Sequence, residues 1–325
     1  LGLPFDDKWV LNAPYLDKTY ARNVLLYDIS RKLFDWAPNT KLCEIYIDNE
    51  YQGVYILIES IESTAGRLDL YDFALLNGKT PFIIKRDRVD DLNKVIKTYG
   101  SINHFTKNNL LLVEPPIDEV NDHHKKWIEK HISEFEFVLY SDFFKDKNFG
   151  YSKFIDVENF VDYYVLNLFA GNRDAGHFST YIYRDLGSKL KLVPWDFNNA
   201  LGLYAYDSPY YIDHELYNWF SRLLQDPYFR KQVVDRYYEL RKDILSEKSI
   251  KSKIKKYQSY YETAFIRDSK KWHFNVDNSS KEASKDDYLF YKNRSTDRLI
   301  KFMHERAKYL DENIEKILNE KFNVK

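Results

Sequence analysis

The hydrophobic pattern of the chain changes its period part-way along, and that change limits the folds open to it. Over residues 1–121 apolar side chains alternate in short runs: Leu42-Cys43-Glu44-Ile45-Tyr46-Ile47, Gly53-Val54-Tyr55-Ile56-Leu57-Ile58, Pro81-Phe82-Ile83-Ile84-Lys85 and Leu110-Leu111-Leu112-Val113. Alternation of this kind, rich in β-branched and aromatic residues, belongs to strands. Asp48-Asn49-Glu50 joins the first two runs as a hairpin. Residues 9–34 carry a helical pattern through Leu16, Tyr20, Val24, Tyr27, Ile29 and Leu33, with Asp17 as its N-cap. From residue 122 the helical period takes over. It is clearest between Asp156 and Ala170, where Val157, Phe160, Val161, Tyr164, Val165, Leu168 and Phe169 share one face. Asp156 suits the N-cap, and Gly171 suits the left-handed residue that stops the helix. Thr180–Arg184 and Lys189–Val193 then form a second hairpin around Gly187-Ser188, and a long helix is expected from about residue 286 to 318. The expected fold is α+β and two-lobed, a sheet-rich lobe over 1–121 and a helical lobe over 122–325, in one domain without repeats.

A chain of 325 residues is long enough for such a domain. Its 49 basic and 50 acidic side chains leave a net charge of −1, without the basic excess that a nucleic-acid partner requires. The run Lys251, Lys253, Lys255 and Lys256 reads as a solvated helix face. Aromatic residues make up 17% of the chain, enough to fill a core with large rings. Cys43 is the single cysteine, which excludes an internal disulfide and a cysteine metal cluster. No apolar run is long enough to span a membrane. No signal peptide is visible, and since a cleaved leader would leave no trace, an extracytoplasmic location stays open.

The chemistry is expected where the second hairpin closes. Gly171-Asn172-Arg173-Asp174-Ala175-Gly176-His177-Phe178-Ser179 enters that hairpin, and Pro194-Trp195-Asp196-Phe197-Asn198-Asn199 leaves it. A tight hairpin brings its ends together, so Asp174 and Asp196 should be neighbours. Two adjacent carboxylates repel unless a cation lies near them. Mg²⁺ suits this arrangement, because it takes one or two carboxylates and completes its shell with water and phosphate oxygens. Protein kinases place their base and their metal ligand on the same succession of helix, loop, hairpin and acidic residue. The plain alternative is that Asp174 caps a turn and Asp196 bonds backbone at a strand end.

The segments Leu166–Asp174, Tyr181–Asp185 and Val193–Phe197 through Gly202 resemble the signature of the CotH (spore coat protein H) kinase family, which is remotely similar to protein kinases. Trp9–Asp17 with Ala21-Arg22-Asn23 looks like the family's opening helix. Ile45–Tyr55 with Glu59 looks like its hairpin and following acid. Phe220–Leu224 with Pro227 and Phe229-Arg230, and Arg306 with Tyr309-Leu310, look like its later helical motifs. The resemblance implies an atypical kinase-like fold, ATP with Mg²⁺ or Mn²⁺ as cofactors, a protein substrate, and a cell-surface or spore-coat location. It places the catalytic role on Asp174 and metal binding on Asp196. Lys85 falls where the family carries a lysine; such a residue would neutralise phosphates, with Glu59 orienting it, unless it is a surface lysine. Arg22, in an apolar helix, needs an anion: phosphate or a structural carboxylate. Asn172 is the remaining polar member of the loop motif. Ser179 stands where the family usually has an asparagine for a second metal, a role that Asn198 is placed to fill. His177 reads as a structural residue. Two other functions compete: an inactive kinase-like module for coat assembly or adhesion, which Ser179 favours, and a carboxylate-pair glycosidase, which would have no use for Lys85 or Arg22.

Overall fold

The computed structural model describes residues 2–71, 78–204, 207–210, 218–272 and 285–322. The expected α+β architecture is present. Two antiparallel sheets occupy the N-terminal region, helices dominate the C-terminal region, and the second hairpin is built into one of the sheets.

The first sheet has β1 (Trp9–Asn12), β3 (Glu50–Glu59) and β2 (Thr40–Ile47) in the order β1-β3-β2. The hairpin between β2 and β3 turns on Asp48 and Asn49, both with positive φ, as a two-residue turn compatible with strand twist requires. The helical pattern over 9–34 is only partly realised. Trp9–Asn12 pairs with Ile56–Glu59 as a strand, and helix α1 spans Arg22–Leu33. Pairing with a strand some 45 residues away overrides local periodicity here. Asp17 is not the N-cap residue, which is Ala21. Its carboxylate nevertheless accepts from the first helical N–H, that of Arg22, at 2.9 Å.

The second sheet runs β5-β6-β4-β7-β8, formed by β4 (Phe82–Asp87), β5 (Val95–Ile96), β6 (Asn109–Glu114), β7 (Thr180–Arg184) and β8 (Lys191–Val193). Strand β4 pairs with β7, so this sheet joins residues from both sides of position 121. The short helix α2 (Tyr99–Ile102) packs on α3 (Asp122–Tyr140). Helix α4 (Val157–Ala170) starts on Asp156, whose side chain accepts from Asn159 N at 3.1 Å, and stops at Gly171 with φ of 61°. The remaining helices are α5 (Trp219–Leu223), α6 (Pro227–Arg241), α7 (Glu247–Tyr260), α8 (Glu262–Lys271) and α9 (Lys285–Phe322). One apolar core runs from α1 and β3 through β4 and β6 into α3, α4, α6 and α9. Among the described residues no helix is long and apolar enough to cross a membrane.

Candidate active site

The apolar face of α4 is buried against α1, α6, α9 and β8, which fixes where its C-terminal end delivers the chain. The fully buried Arg306 of α9 strengthens that end. Its guanidinium donates from Nε at 3.1 Å and Nη2 at 2.6 Å to the carbonyl of Leu168 in the last turn, which also accepts from the Gly171 N–H at 3.3 Å. Gly171 then turns the chain into the loop carrying Asp174.

The two ends of the β7–β8 hairpin meet as the sequence implies. Asn172, buried, is the brace between them. Its Nδ2 donates to Asn167 Oδ1 at 3.0 Å and to the Asp196 carbonyl at 3.3 Å, while its Oδ1 accepts from the Asp174 N–H at 3.3 Å. One amide thus ties the backbone of both acidic residues to α4, and its polar atoms are spent inside the protein. Asn199 completes the link by donating to Asp174 Oδ2 at 2.9 Å.

Asp196 is held from several sides. Its backbone N–H donates to the Tyr27 hydroxyl at 3.2 Å. Its carboxylate accepts from Ser179 Oγ at 3.3 Å and from the Asn198 N–H at 3.3 Å. Asn23 of α1 accepts from Phe197 N at 3.0 Å and donates to Asn198 Oδ1 at 2.6 Å, fastening the segment to the first helix. Both Ser179 and Asp196 have left-handed backbones, with φ of 47° and 55°. Such residues cost of order 1–3 kcal/mol each and collect at functional sites. Burial pushes the Asp196 carboxyl above the usual carboxylate range; the charges of Asp174 and Asp87 add to this, against the bonds from Asn198 and Ser179.

Two cavities open near this segment, the first reaching Trp195 and the second reaching Asp196 itself. One, of 460 Å³, is lined by Lys85, Tyr181 and the neighbouring Trp195, by the β3 continuation Ser60–Glu62, and by Leu112–Glu114 with the chain that follows β6. Tyr181 and Trp195 meet edge to face at 5.7 Å, and burial with nearby Asp87, Asp196 and Asp90 pushes the Tyr181 phenol up to about 12. The other, of 270 Å³, is lined by Asp17, Arg22, Asn23, Asp196, Asn198 and Asn199 among others.

The proposed partners of the phosphate-binding candidates need correction. Glu59 does not orient Lys85. Its Oε2 accepts from Asn39 N at 2.8 Å and Asn39 Nδ2 at 3.1 Å, at the start of β2. Lys85 points to Asp90, 3.7 Å away. Glu59 ends β3 of the first sheet and Lys85 lies on β4 of the second, and here each is directed to a different partner. Arg22 has found the structural carboxylate: it is paired with Asp17 and donates to the carbonyls of Ala200 at 3.1 Å and of Leu201 and Gly202 at 3.4 Å. It therefore clamps the loop that follows Asp196. Sequence reasoning missed Asn23, Tyr27 and Asn199 as positioning residues. Asn199 was recoverable, since it lies in the same motif as Asp196. Tyr27 and Asn23 reach the site only through the docking of α1.

The oxygens gathered here, from Asp174, Ser179, Asp196 and Asn198, are the hard donors that Mg²⁺ prefers. Among the described residues no three His, Cys, Asp or Glu side chains are arranged to hold a metal by themselves. An ion at this site would take few protein ligands and complete its shell with water and phosphate oxygens, as Mg²⁺ does in nucleotide sites.

The family model described as CotH kinase protein matches residues 1–310. The chain belongs to the CotH kinase family. No curated protein matches the sequence. The match spans both sheets and nearly all of the helical region, so the CotH assignment covers the Asp174 loop, the Asp196 segment and the strand that carries Lys85. It accounts for the kinase-like division into a sheet-rich and a helical region.

Proposed function

We propose that this CotH-family chain is an atypical protein kinase that transfers the γ-phosphoryl group of ATP to Ser or Thr hydroxyls of a protein, with Mg²⁺ or Mn²⁺. The observation that carries this reading is the Asn172 bridge, which holds Asp174 and Asp196 on two ends of one hairpin, with Trp195, next to Asp196 in the chain, lining a cavity together with Lys85. In this reading Asp174 accepts the proton of the attacking hydroxyl, and Asn199 orients its carboxylate. Asp196 holds the metal, with Asn198 and Ser179 beside it. The nucleotide occupies the 460 Å³ cavity, its base against Tyr181 and Trp195, and Lys85 meets its phosphates as a point charge. Arg22, Glu59 and Asn172 support the site from behind by holding the loop after Asp196, the start of β2 and the two acidic residues. The bound metal supplies charge neutralisation for the phosphates. Such a protein would work outside the cytoplasm, at a cell surface or spore coat.

A second reading is an inactive coat-assembly or adhesion module. It is favoured by Ser179, whose hydroxyl donates to the carboxylate needed for the metal. Calorimetry with ATP and Mg²⁺, followed by transfer of labelled phosphate to casein or to the chain itself, separates the two. The kinase reading expects Mg²⁺-dependent binding, its loss in Asp196→Ala, and loss of transfer with retained nucleotide binding in Asp174→Ala. Transfer rates in Asp174→Ala should fall by about 10²–10⁴-fold if the residue is the base. Binding without any transfer, with either Mg²⁺ or Mn²⁺, leaves the module reading standing.

A further inference from the structure

Strands β4 and β6 end side by side against the Asp174 loop, with Asp87 opposite Asn109. Successive side chains of a strand leave on opposite faces. On one face of β4, Lys85 lines the nucleotide cavity and the charge of Asp87 bears on Asp196 and Tyr181. On the other face Arg86 is buried. Its guanidinium lies 5.1 Å from the Trp219 ring centre and donates to the carbonyls of Lys107 at 3.2 Å and Asn108 at 3.3 Å. Just beyond the strand, Arg88 is exposed, and its guanidinium sits 4.0 Å over the ring of Phe178. Phe178 belongs to the catalytic loop, and its N–H donates to the Asp174 carbonyl at 2.7 Å. A guanidinium resting on a ring face keeps its in-plane N–H donors for a second, anionic partner.

The chain leading into the neighbouring strand β6 adds more positive charge. Lys107 is exposed, and its backbone is pinned to the same loop: its N–H donates to Asn218 Oδ1 at 2.5 Å, and Asn218 Nδ2 donates to the Gly176 carbonyl at 2.9 Å. Asn108 adds a bond from Nδ2 to the His177 carbonyl at 2.8 Å. His177, between them, is held below its usual range by burial, and Lys107, Arg86 and Arg88 act in the same direction against Asp174.

We propose that Arg88 is a specificity-determining residue that selects polypeptides whose acceptor hydroxyl is flanked by an anionic side chain. This rests on the kinase reading for what happens to the hydroxyl, but not for the binding itself. The anion is a carboxylate or a phosphate already carried by the substrate; both offer the paired oxygens that a guanidinium fork matches. Its place on the far side of β4 from Lys85 keeps this subsite distinct from the one for ATP phosphates.

The test uses fluorescent peptides with one acceptor Ser flanked by Glu, by phosphoserine or by Lys. Binding is followed by anisotropy in the presence of Mg²⁺ and a non-hydrolysable ATP analogue, and transfer is measured in parallel with ATP. The wild-type protein should bind an anionic peptide about tenfold more tightly than the Lys peptide, the scale of one charge-assisted contact. Arg88→Glu should reverse that ranking, moving KM more than kcat and leaving the Kd for MgATP and the thermal midpoint unchanged. Preference for the phosphoserine peptide assigns the subsite to phosphate, and preference for the Glu peptide assigns it to carboxylate. The proposal is overturned if wild type and Arg88→Glu rank the peptides alike. Ranking as expected with no transfer to any peptide would keep the subsite and remove the kinase reading; transfer without a change of ranking would do the reverse.

Discussion

Asp196 concentrates the site's tension in one residue: a carboxylate that burial and two acidic neighbours make reluctant to ionise, on a left-handed backbone that only its surroundings hold in place. The sign of its effect on stability follows. A carboxyl whose folded pKa lies above its unfolded value leaves the folded state binding more protons, so without metal this residue's contribution to stability falls as pH rises from the unfolded pKa through the folded one. Above that window the charged form remains a cost, which a bound divalent cation would relieve. Asp196→Asn should accordingly raise the thermal midpoint of the metal-free protein at neutral pH, while abolishing the upward shift that Mg²⁺ with ATP gives the wild type. On acidification, that ligand-induced shift in the wild type should begin to fail above the ordinary carboxylate value of 3.8, as protons compete for the carboxylate. Thermal scans across pH with and without MgATP decide it; a midpoint lowered by the Asn substitution would refute the account. At this scale the sequence was informative about Asp174 and Asp196, because the hairpin between them is local. It was silent on which anion Arg22 meets and on the amide of Asn172 being consumed internally, since both depend on segments that become neighbours only after α1 and α4 dock.

Elements decode according to how local their support is. Helix α4 was legible to the residue, because its cap, its apolar face and its terminating glycine all lie within 16 positions. Strand β1 was not, because the partner that makes Trp9–Asn12 extended is β3. Helix α8 shows a longer-range dependence. Its Asp268 accepts from the Tyr20 hydroxyl at 2.5 Å and from the Val54 N–H at 2.7 Å. Its Arg267 forms a two-point pair with Glu44 of β2 at 2.7 and 2.5 Å. The Trp272 indole, just past its end, donates to the Gln52 carbonyl at 3.1 Å. Gly53 is required for this approach: its φ is +112°, and a Cβ there would come within 2.4 Å of Asp268 Oδ1 and 2.6 Å of Trp272 Nε1. The first hairpin is therefore bolted to the helical region and does not ride as a free lobe. Gly53→Ala should destabilise the fold by roughly 2–4 kcal/mol, combining overpacking with an unfavourable backbone. Asp268→Ala, which removes the carboxylate that accepts from the Val54 N–H and the Tyr20 hydroxyl, should cost about 2–4 kcal/mol. Denaturant titrations check both. A loss confined to hydrogen-exchange protection of β2 and β3, with no change in global midpoint, would mean that the hairpin opens independently.

At the scale of the whole molecule, division into a sheet-rich and a helical region describes the order of elements but not the way they cohere. Period reading along the chain shows where strands give way to helices. It carries no information on which strands pair, because register between distant segments is decided by packing. That pairing is what unites the two parts here. Strand β4 hydrogen-bonds to β7 across residues 82–86 and 180–184, so a sheet begun in the first 121 residues is completed by the hairpin that joins the Asp174 loop to Asp196. The apolar core is likewise continuous, with Ile84 and Leu112 in the same cluster as Leu166 and Ile182. Separating the chain at 121/122 would strip β4 of a partner in one fragment and leave β7 an unpaired edge in the other, exposing apolar surface in both. Neither fragment should fold alone, and the intact chain should unfold in one cooperative transition in urea, with intrinsic tryptophan fluorescence and far-ultraviolet circular dichroism coinciding. A fragment spanning 122–325 with dispersed amide resonances and native-like helicity would show that the helical region is an autonomous domain. The site geometry at Asp174 and Asp196 would then owe nothing to β4, and the strand that carries Lys85 would lose its structural tie to the hairpin that holds them.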